Sequence, residues 1–201
     1  MGDTAVRGQR LVEAAYIVCT RSFDVWSDIS AHVQAYPEVR GKALRDVPTH
    51  ALVMYGLEDV PLAEPAYYFE TLKGAPWGGP YGMSRLTGWL HDDRRRWARA
   101  WRVPLDNPAV LERKWDKSVK QTGVWTYETE HVLGAFLWRR LGLPMTDTPM
   151  LVICSEGVSR VLDPDVDMPH LAGVPAHDYI LPWHLQRTCR RLKWEETHIQ
   201  G

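Results

Sequence analysis

The hydrophobic pattern of the first forty residues changes from a short apolar run to a helical stripe. Residues 15–21 (AYIVCTR) are short and β-branched at their centre, which predicts a buried strand. The apolar positions of the next segment recur at helical spacing: Trp26, Ile29, Val33 and Tyr36. Ser22 supplies a cap and Pro37 a stop for this helix. The chain is therefore expected to begin with a strand and an amphipathic helix.

Two further runs have strand character, residues 50–56 (HALVMYG) and 67–72 (YYFETL). The segment between them, LEDVPLAEPA, contains two prolines and three acidic residues and is typical of a loop. The two strands are expected to pair as an antiparallel hairpin. With the loop centred near Val60, residue i would pair with residue 120 − i, which places His50 opposite Glu70 on one face.

The rest of the chain alternates between loop, strand and helix signals. Residues 73–81 (KGAPWGGPY) are rich in Gly and Pro and predict a loop, and strands are expected over 83–90 and 97–105. Helices are expected over 107–120, over 127–141 and from a start between 148 and 154, with turns and a polar helix after Pro175. Together these segments predict one α+β domain over 1–201, with an antiparallel sheet of about five strands flanked by helices.

Charge and composition exclude several classes of partner. The 24 Lys and Arg against 25 Asp and Glu give a net charge of −1, which removes the general electrostatic case for nucleic acid. Five Arg and two Trp interleave in 94–102 (RRRWARAWR), which we interpret as a strand with solvated Arg and inward Trp. No apolar run approaches the roughly 20 residues of a membrane span, and no signal peptide is evident, so a cytoplasmic location is expected.

The cysteine and histidine spacing argues against a metal or a disulfide framework. The three cysteines are odd in number and lack a Cys-x-x-Cys pair. His170, His177 and His184 recur every seven residues, but Pro175 and Pro182 would break any helix that aligned them. We therefore expect neither a metal nor another cofactor.

Cys154 is the candidate nucleophile. An apolar lead-in (MLVI) gives way at this residue to SEGVSRVL, which suits the start of a helix. The helix dipole and free backbone N–H groups at such a position favour a thiolate and can bind a developing oxyanion. The competing interpretation is an ordinary buried cysteine, which is a common fate for this residue type.

His50 and Glu70 are the candidate partners of that thiol. His50 begins the most hydrophobic strand, so its imidazole would lie at the rim of the sheet, where a general base is useful. Glu70 interrupts an apolar strand, where a carboxylate is costly without a compensating partner such as His50. A capping or surface histidine and a solvent-facing glutamate are the alternatives.

The segments VPTHALVMYG, YYFETLKG and LVICSEGVSRVL resemble the circularly permuted branch of the papain-like, NlpC-type cysteine hydrolases. The opening AYIVCTRSFDVWSDISAHVQAY and the late PAHDYILPWHLQ are also similar to that family's pattern, so the resemblance extends over most of the chain. It implies a permuted papain-like fold, with Cys154 as nucleophile, His50 as general base and then acid, and Glu70 as the residue that orients His50. The implied reaction is acyl transfer through a thioester.

The expected function is a cysteine hydrolase of amide bonds, with the peptides of a bacterial cell wall as one substrate. Without a secretion signal, that substrate would be reached through cell lysis or a virus particle, as for a phage component. The side chains expected to line the substrate groove are Trp77, Tyr81, Trp183 and Ser155. Two alternatives remain: an acyltransferase or lipid esterase with the same triad, and a catalytically silent structural or virion component of the same fold.

Overall fold

A computed structural model describes residues 13–22, 25–35, 38–39, 41–57, 67–72, 75–79, 97–111, 113–114, 117, 137–138, 141–142 and 154–199. Its centre is an antiparallel sheet in the order β4-β3-β2-β1-β5-β6. The strands are β1 (Glu13–Arg21), β2 (His50–Leu57), β3 (Tyr67–Leu72), β4 (Ala75–Gly79), β5 (Trp97–Val103) and β6 (Glu196–Ile199). The predicted α+β class and antiparallel sheet are confirmed, with six strands where about five were expected.

One face of the sheet, here called the front face, carries the main core. The side chains of β1 and β2 alternate between faces, which assigns Ala15, Ile17 and Cys19 to the front face with Ala51 and Val53. The other face, here called the back face, is buried as well at Val18, Thr20, Leu52 and Met54. Because both faces of β1 and β2 exclude water, these strands read as continuous apolar runs.

Three helices pack on the front face: α2 (Cys154–Leu162), α3 (Met168–Ala172) and α4 (Pro182–Arg191). Their contributions to the core are Val158, Val161, Leu162, Met168, Leu185 and Cys189. A 3-10 turn, His177–Tyr179, connects α3 to α4. The predicted start of a helix between 148 and 154 is thereby confirmed at its late limit. The polar helix expected after Pro175 is α4, which nevertheless buries its sheet-facing side.

Helix α1 (Val25–Ala35) and a 3-10 turn (Gly41–Asp46) form a small second cluster against α4. The predicted apolar stripe of α1 is wrong at Ile29, which is 48% exposed, whereas Ala31 and Ala35 are fully buried. Small side chains let α1 approach Trp183 of α4 closely. The close packing of α1 against α4, and not the hydrophobicity of individual residues, therefore determines which side of α1 is buried.

Strands β4 and β6 are the elements that the sequence pattern missed. The stretch 73–81 was predicted as a loop, but Ala75–Gly79 pairs with β3 at an edge of the sheet. An edge strand tolerates Pro76 because one side of its backbone needs no ladder partner. The four residues of β6 pair with β5 at the other edge. In both cases the neighbouring strand supplies hydrogen bonds that local propensity does not reveal.

Other predictions fall only partly within the described residues. Helical residues at 110–111, 113–114 and 117 agree with the predicted helix over 107–120. Gly142 has a φ of 67° and its N–H donates to the Trp138 carbonyl, as expected of a helix stop. The strand predicted over 83–90 lies outside the described residues. Over the part of the chain that the structure describes, no helix is long and apolar enough to cross a membrane.

Candidate active site

Cys154 is the first residue of α2, and its side chain is 2% exposed. The helix it begins packs against β2 and β3. All three cysteines are free and buried. Burial raises the pKa of Cys19 well above its usual range, and the nearby thiols of Cys189 and Cys154 raise it further. Helices α2 and α4 therefore bring the other two thiols close to Cys19 on β1.

The electrostatic effect of Cys154 on Cys19 indicates that the N-terminus of α2 lies near the Cys19 end of β1. Cys19 pairs with Ala51 in the β1–β2 ladder, and Ala51 follows His50. The N-terminus of α2 is therefore at the end of the sheet where β2 begins. His50 and Cys154, which are separated by about a hundred residues of chain, share this end of the fold.

His50 is half-buried and pairs with Thr20. Strand alternation assigns position 50 to the back face, together with Leu52 and Met54. Helix α2 covers the front face. Cys154 and His50 are thus at the same end of the sheet, while the ladder assigns them to opposite faces.

The predicted β2–β3 register is wrong by two residues. Val53 pairs with Phe69, so paired positions sum to 122 instead of 120. Continued along the strands, this register sets Leu72 opposite His50 and places Glu70 one diagonal step away. A shift of two keeps both positions on one face, at a separation of about 7–8 Å. The side chain of Glu70 lies outside what the structure describes.

The proposed groove residues are distributed differently from the prediction. Ser155 is fully buried and donates its hydroxyl to the Ile180 carbonyl at 2.7 Å, so it lines no open groove. Trp183 packs against the cluster that contains Ala31 and Ala35 of α1, so it contributes to hydrophobic packing. Trp77 lies on β4 opposite Glu70, and its side chain is outside the described part. Tyr81 lies outside the described residues.

Sequence reasoning missed a buried hydrogen-bonding network along α2. Ser159, one turn after Ser155, shares a hydrogen bond with His177 in which Oγ and Nδ1 are 2.7 Å apart. Both serines therefore attach α2 to the segment 177–180. No sequence pattern predicts these two contacts, because their partners are 18 and 25 positions apart in the chain.

A guanidinium joins two carboxyl groups on the same side of α2. The Arg160 Nε donates to Glu156 Oε1 at 2.7 Å, and its Nη2 donates to Asp178 Oδ1 at 2.8 Å. Glu156 is 1% exposed, and burial raises its pKa from the ordinary 4.5 to about 8, against the opposing charge of Arg160. The i,i+4 spacing of Glu156 and Arg160 could have predicted their ion pair on a helix, whereas the sequence gives no indication of the contact with Asp178.

The network predicts an acid-sensitive step at His177. Burial, followed by the charge of Arg160, lowers the pKa of His177 below its ordinary 6.5. Because the folded state disfavours protonated His177, the fold is most stable above pH 6.5, where the imidazole is neutral in both states. This contribution to stability is lost as pH falls through the folded-state pKa. We expect His177→Gln to reduce the loss of stability between pH 7 and pH 5, as measured by urea unfolding. The exposed His170→Gln is the control, and equal slopes in wild type and His177→Gln would contradict the assignment.

Among the residues that the structure describes, no group of three His, Cys, Asp or Glu side chains has a geometry that would hold a metal ion. Comparison with protein-family models, with curated proteins and with solved structures found no significant match to this chain. The function is therefore argued from the site itself.

Proposed function

We propose that this protein is a cysteine hydrolase of amide bonds, built on a permuted papain-like arrangement of the described α+β fold. The observation that carries the proposal is the position of Cys154 as the first residue of a helix packed on β2 and β3. Backbone N–H groups at a helix N-terminus stabilise a thiolate and the oxyanion that forms when it attacks a carbonyl. The order of His strand, acid strand and Cys helix also supports it.

In the proposed reaction, the Cys154 thiolate attacks the amide carbonyl and forms a thioester as the amine departs. His50 first takes the thiol proton and then gives it to the leaving amine, while Glu70 holds the imidazole. Water then hydrolyses the thioester and releases the acid and the free thiol. Because position 50 belongs to the back face, the imidazole must turn around the start of β2 to reach the thiol.

The substrates proposed are peptides, with bacterial cell-wall peptides as the first class to test. Delivery by lysis or within a virus particle would bring the protein to that substrate. A second candidate is a catalytically silent structural module of the same fold. The observations on which this second candidate rests are the burial of Cys154 and the back-face position of His50.

The test is the pH dependence of alkylation by iodoacetamide, read for each cysteine by peptide mass spectrometry. We expect Cys154 to be alkylated faster than the other two cysteines near neutral pH, because it is the nucleophile of the proposed Cys–His pair. Cys19 and Cys189 are internal standards, since burial raises the pKa of both thiols and keeps them slow. In His50→Ala the Cys154 profile should move to higher pH, whereas His170→Ala should leave it unchanged.

Two results would support the silent module instead. One is a Cys154 that reacts no faster than Cys19 and Cys189 at any pH. The other is a reactive Cys154 whose profile is the same in wild type and in His50→Ala.

A further inference from the structure

Three side chains of α2 attach the helix to one short segment of the chain. Ser155 and Ser159 bind the segment 177–180 through its Ile180 carbonyl and its His177 imidazole. Arg160 adds a charged contact to Asp178 in the same segment. The first two turns of α2, and Cys154 with them, are therefore held by this segment as well as by the sheet.

Glu156 lies at the centre of that attachment and is its most buried ionisable group. It is on the first turn of α2, two residues after Cys154, and Arg160 reaches it from the next turn. The guanidinium of Arg160 is shared with Asp178, so its single positive charge faces two carboxyl groups. A second negative charge in a buried site is costly, and the more buried carboxyl is the one expected to keep a proton.

The surroundings of Glu156 agree with this assignment. Among the residues that the structure describes, Arg160 lowers and Asp178 raises the pKa of Glu156. Strands β2 and β3 also pack against α2, and their ionisable residues His50 and Glu70 occupy back-face positions. The net direction is set by burial, which raises the pKa of Glu156.

We propose that Glu156, Arg160 and Asp178 form a proton-controlled clamp that fixes the first turns of α2 to the segment 177–180. With Glu156 protonated, Arg160 pairs with the Asp178 carboxylate and the cluster is neutral. When the Glu156 O–H bond breaks and the proton passes to water, the two carboxylates repel each other around one guanidinium, and the clamp loosens. The inference goes beyond the proposed hydrolase, because it concerns the attachment of α2 and its test requires no activity.

The direct test is a titration of the wild-type protein labelled with ¹³C at the glutamate carboxyl carbons. One resonance should titrate near pH 8, far above the ordinary glutamate range, and Glu156→Gln should remove that resonance. If every glutamate carboxyl titrates near the ordinary pKa of 4.5, the proposal is overturned. The titration of the wild-type protein alone can contradict the proposal. The test therefore remains decisive even if Glu156→Gln fails to fold.

The coupling to stability is tested by urea unfolding from pH 5 to pH 9.5. A carboxyl with a raised folded-state pKa stabilises the fold at low pH, and the contribution is lost as pH rises to that pKa. Relative to Glu156→Gln, the folding equilibrium constant of wild type should fall by close to tenfold per pH unit up to about pH 8, then level off. In Asp178→Asn the levelling should come at lower pH, because a negative neighbour is removed.

The matched control is Glu38→Gln, which alters an exposed carboxyl paired with Arg187. It should keep the wild-type pH dependence. The proposal would be overturned if the unfolding free energies of wild type and Glu156→Gln had the same pH dependence across the whole range. Hydrogen exchange locates the effect: amides of α2 should lose protection above pH 8 in wild type but not in Glu156→Gln, whereas loss of protection throughout the sheet would contradict a local clamp.

Discussion

Replacing Cys154 with alanine should reduce amide hydrolysis by about a thousandfold or more, because the proposed thioester cannot form without the thiol. The measurement is release of amine from peptide substrates, including soluble fragments of bacterial cell wall. The loss should appear in kcat, since the substrate still binds the rest of the site.

Cys189→Ala is the matched control for that experiment. It removes another buried thiol from the same region of the core but leaves the N-terminus of α2 unchanged. We expect it to keep activity. Equal activity of Cys154→Ala and wild type would exclude Cys154 as the nucleophile and with it the proposed mechanism.

A comparison of substrates in the wild-type protein separates amide hydrolysis from the acyl-ester alternative. Short acyl esters are assayed beside the peptides. An amidase should cleave the peptides and also the more reactive esters, whereas a lipid esterase or acyltransferase should act on the esters alone. Both reactions need Cys154, so its loss should abolish either activity. The ratio of peptide to ester turnover in wild type therefore identifies the reaction class, independently of the identity of the nucleophile.

Arg21→Met should destabilise the fold by about 3–5 kcal/mol, measured as the free energy of unfolding in urea. The Arg21 side chain is fully buried at the end of β1. Its Nη1 donates to the carbonyls of Val47 and Ser27 at 3.0 and 3.1 Å, and its Nη2 pairs with Asp28 at 2.5 Å. Methionine conserves length but leaves both carbonyls without their donor.

Arg187→Met is the control, because its ion pair with Glu38 is exposed and should contribute less than about 1 kcal/mol. Asp28→Asn should cost less than Arg21→Met, since the Asp28 side chain is 69% exposed and an asparagine oxygen can still accept from the Arg21 guanidinium. A loss below about 1.5 kcal/mol in Arg21→Met would show that the buried guanidinium is not a structural anchor.

The Arg21 contacts also matter for the proposed site. Val47 stands three residues before His50, and Thr49 donates its N–H to the Thr20 carbonyl at 2.9 Å. The start of β2 is thus fixed from two sides by the end of β1. We infer that the rim position of His50 depends on this anchor, because a strand end without it would fray.

The agreement between the sequence pattern and the fold is best where a segment carries an uninterrupted apolar or aromatic run. Strand β3 was predicted with its observed bounds, and β2 within one residue, because long apolar or aromatic runs leave few alternatives. The start of α2 was predicted between 148 and 154, and the helix begins at Cys154. The pattern failed at Ile29, where the packing of α1 against α4 determined which side is buried.

The candidate site shows the same division. The sequence nominated Cys154, His50 and Glu70 from their positions in elements, and two of the three positions could be related through the β2–β3 pairing. It missed the cluster of Glu156, Arg160 and Asp178, because only the tertiary fold brings the turn after α3 to the side of α2. Hydrogen bonds between distant segments produce no periodic pattern of residues from which they could be predicted.

The sequence by itself determined the α+β class, the central strands and a helix that carries Cys154 near its start, because hydrophobic periodicity and the positions of Gly and Pro are local properties. Only the tertiary structure decided the two-residue shift of β2 against β3, the edge strands β4 and β6, and the face on which His50 lies. It also decided the burial of Glu156 beside Arg160 and Asp178. These features depend on which distant segments share backbone hydrogen bonds and exclude water from one another, and a linear pattern does not encode that choice.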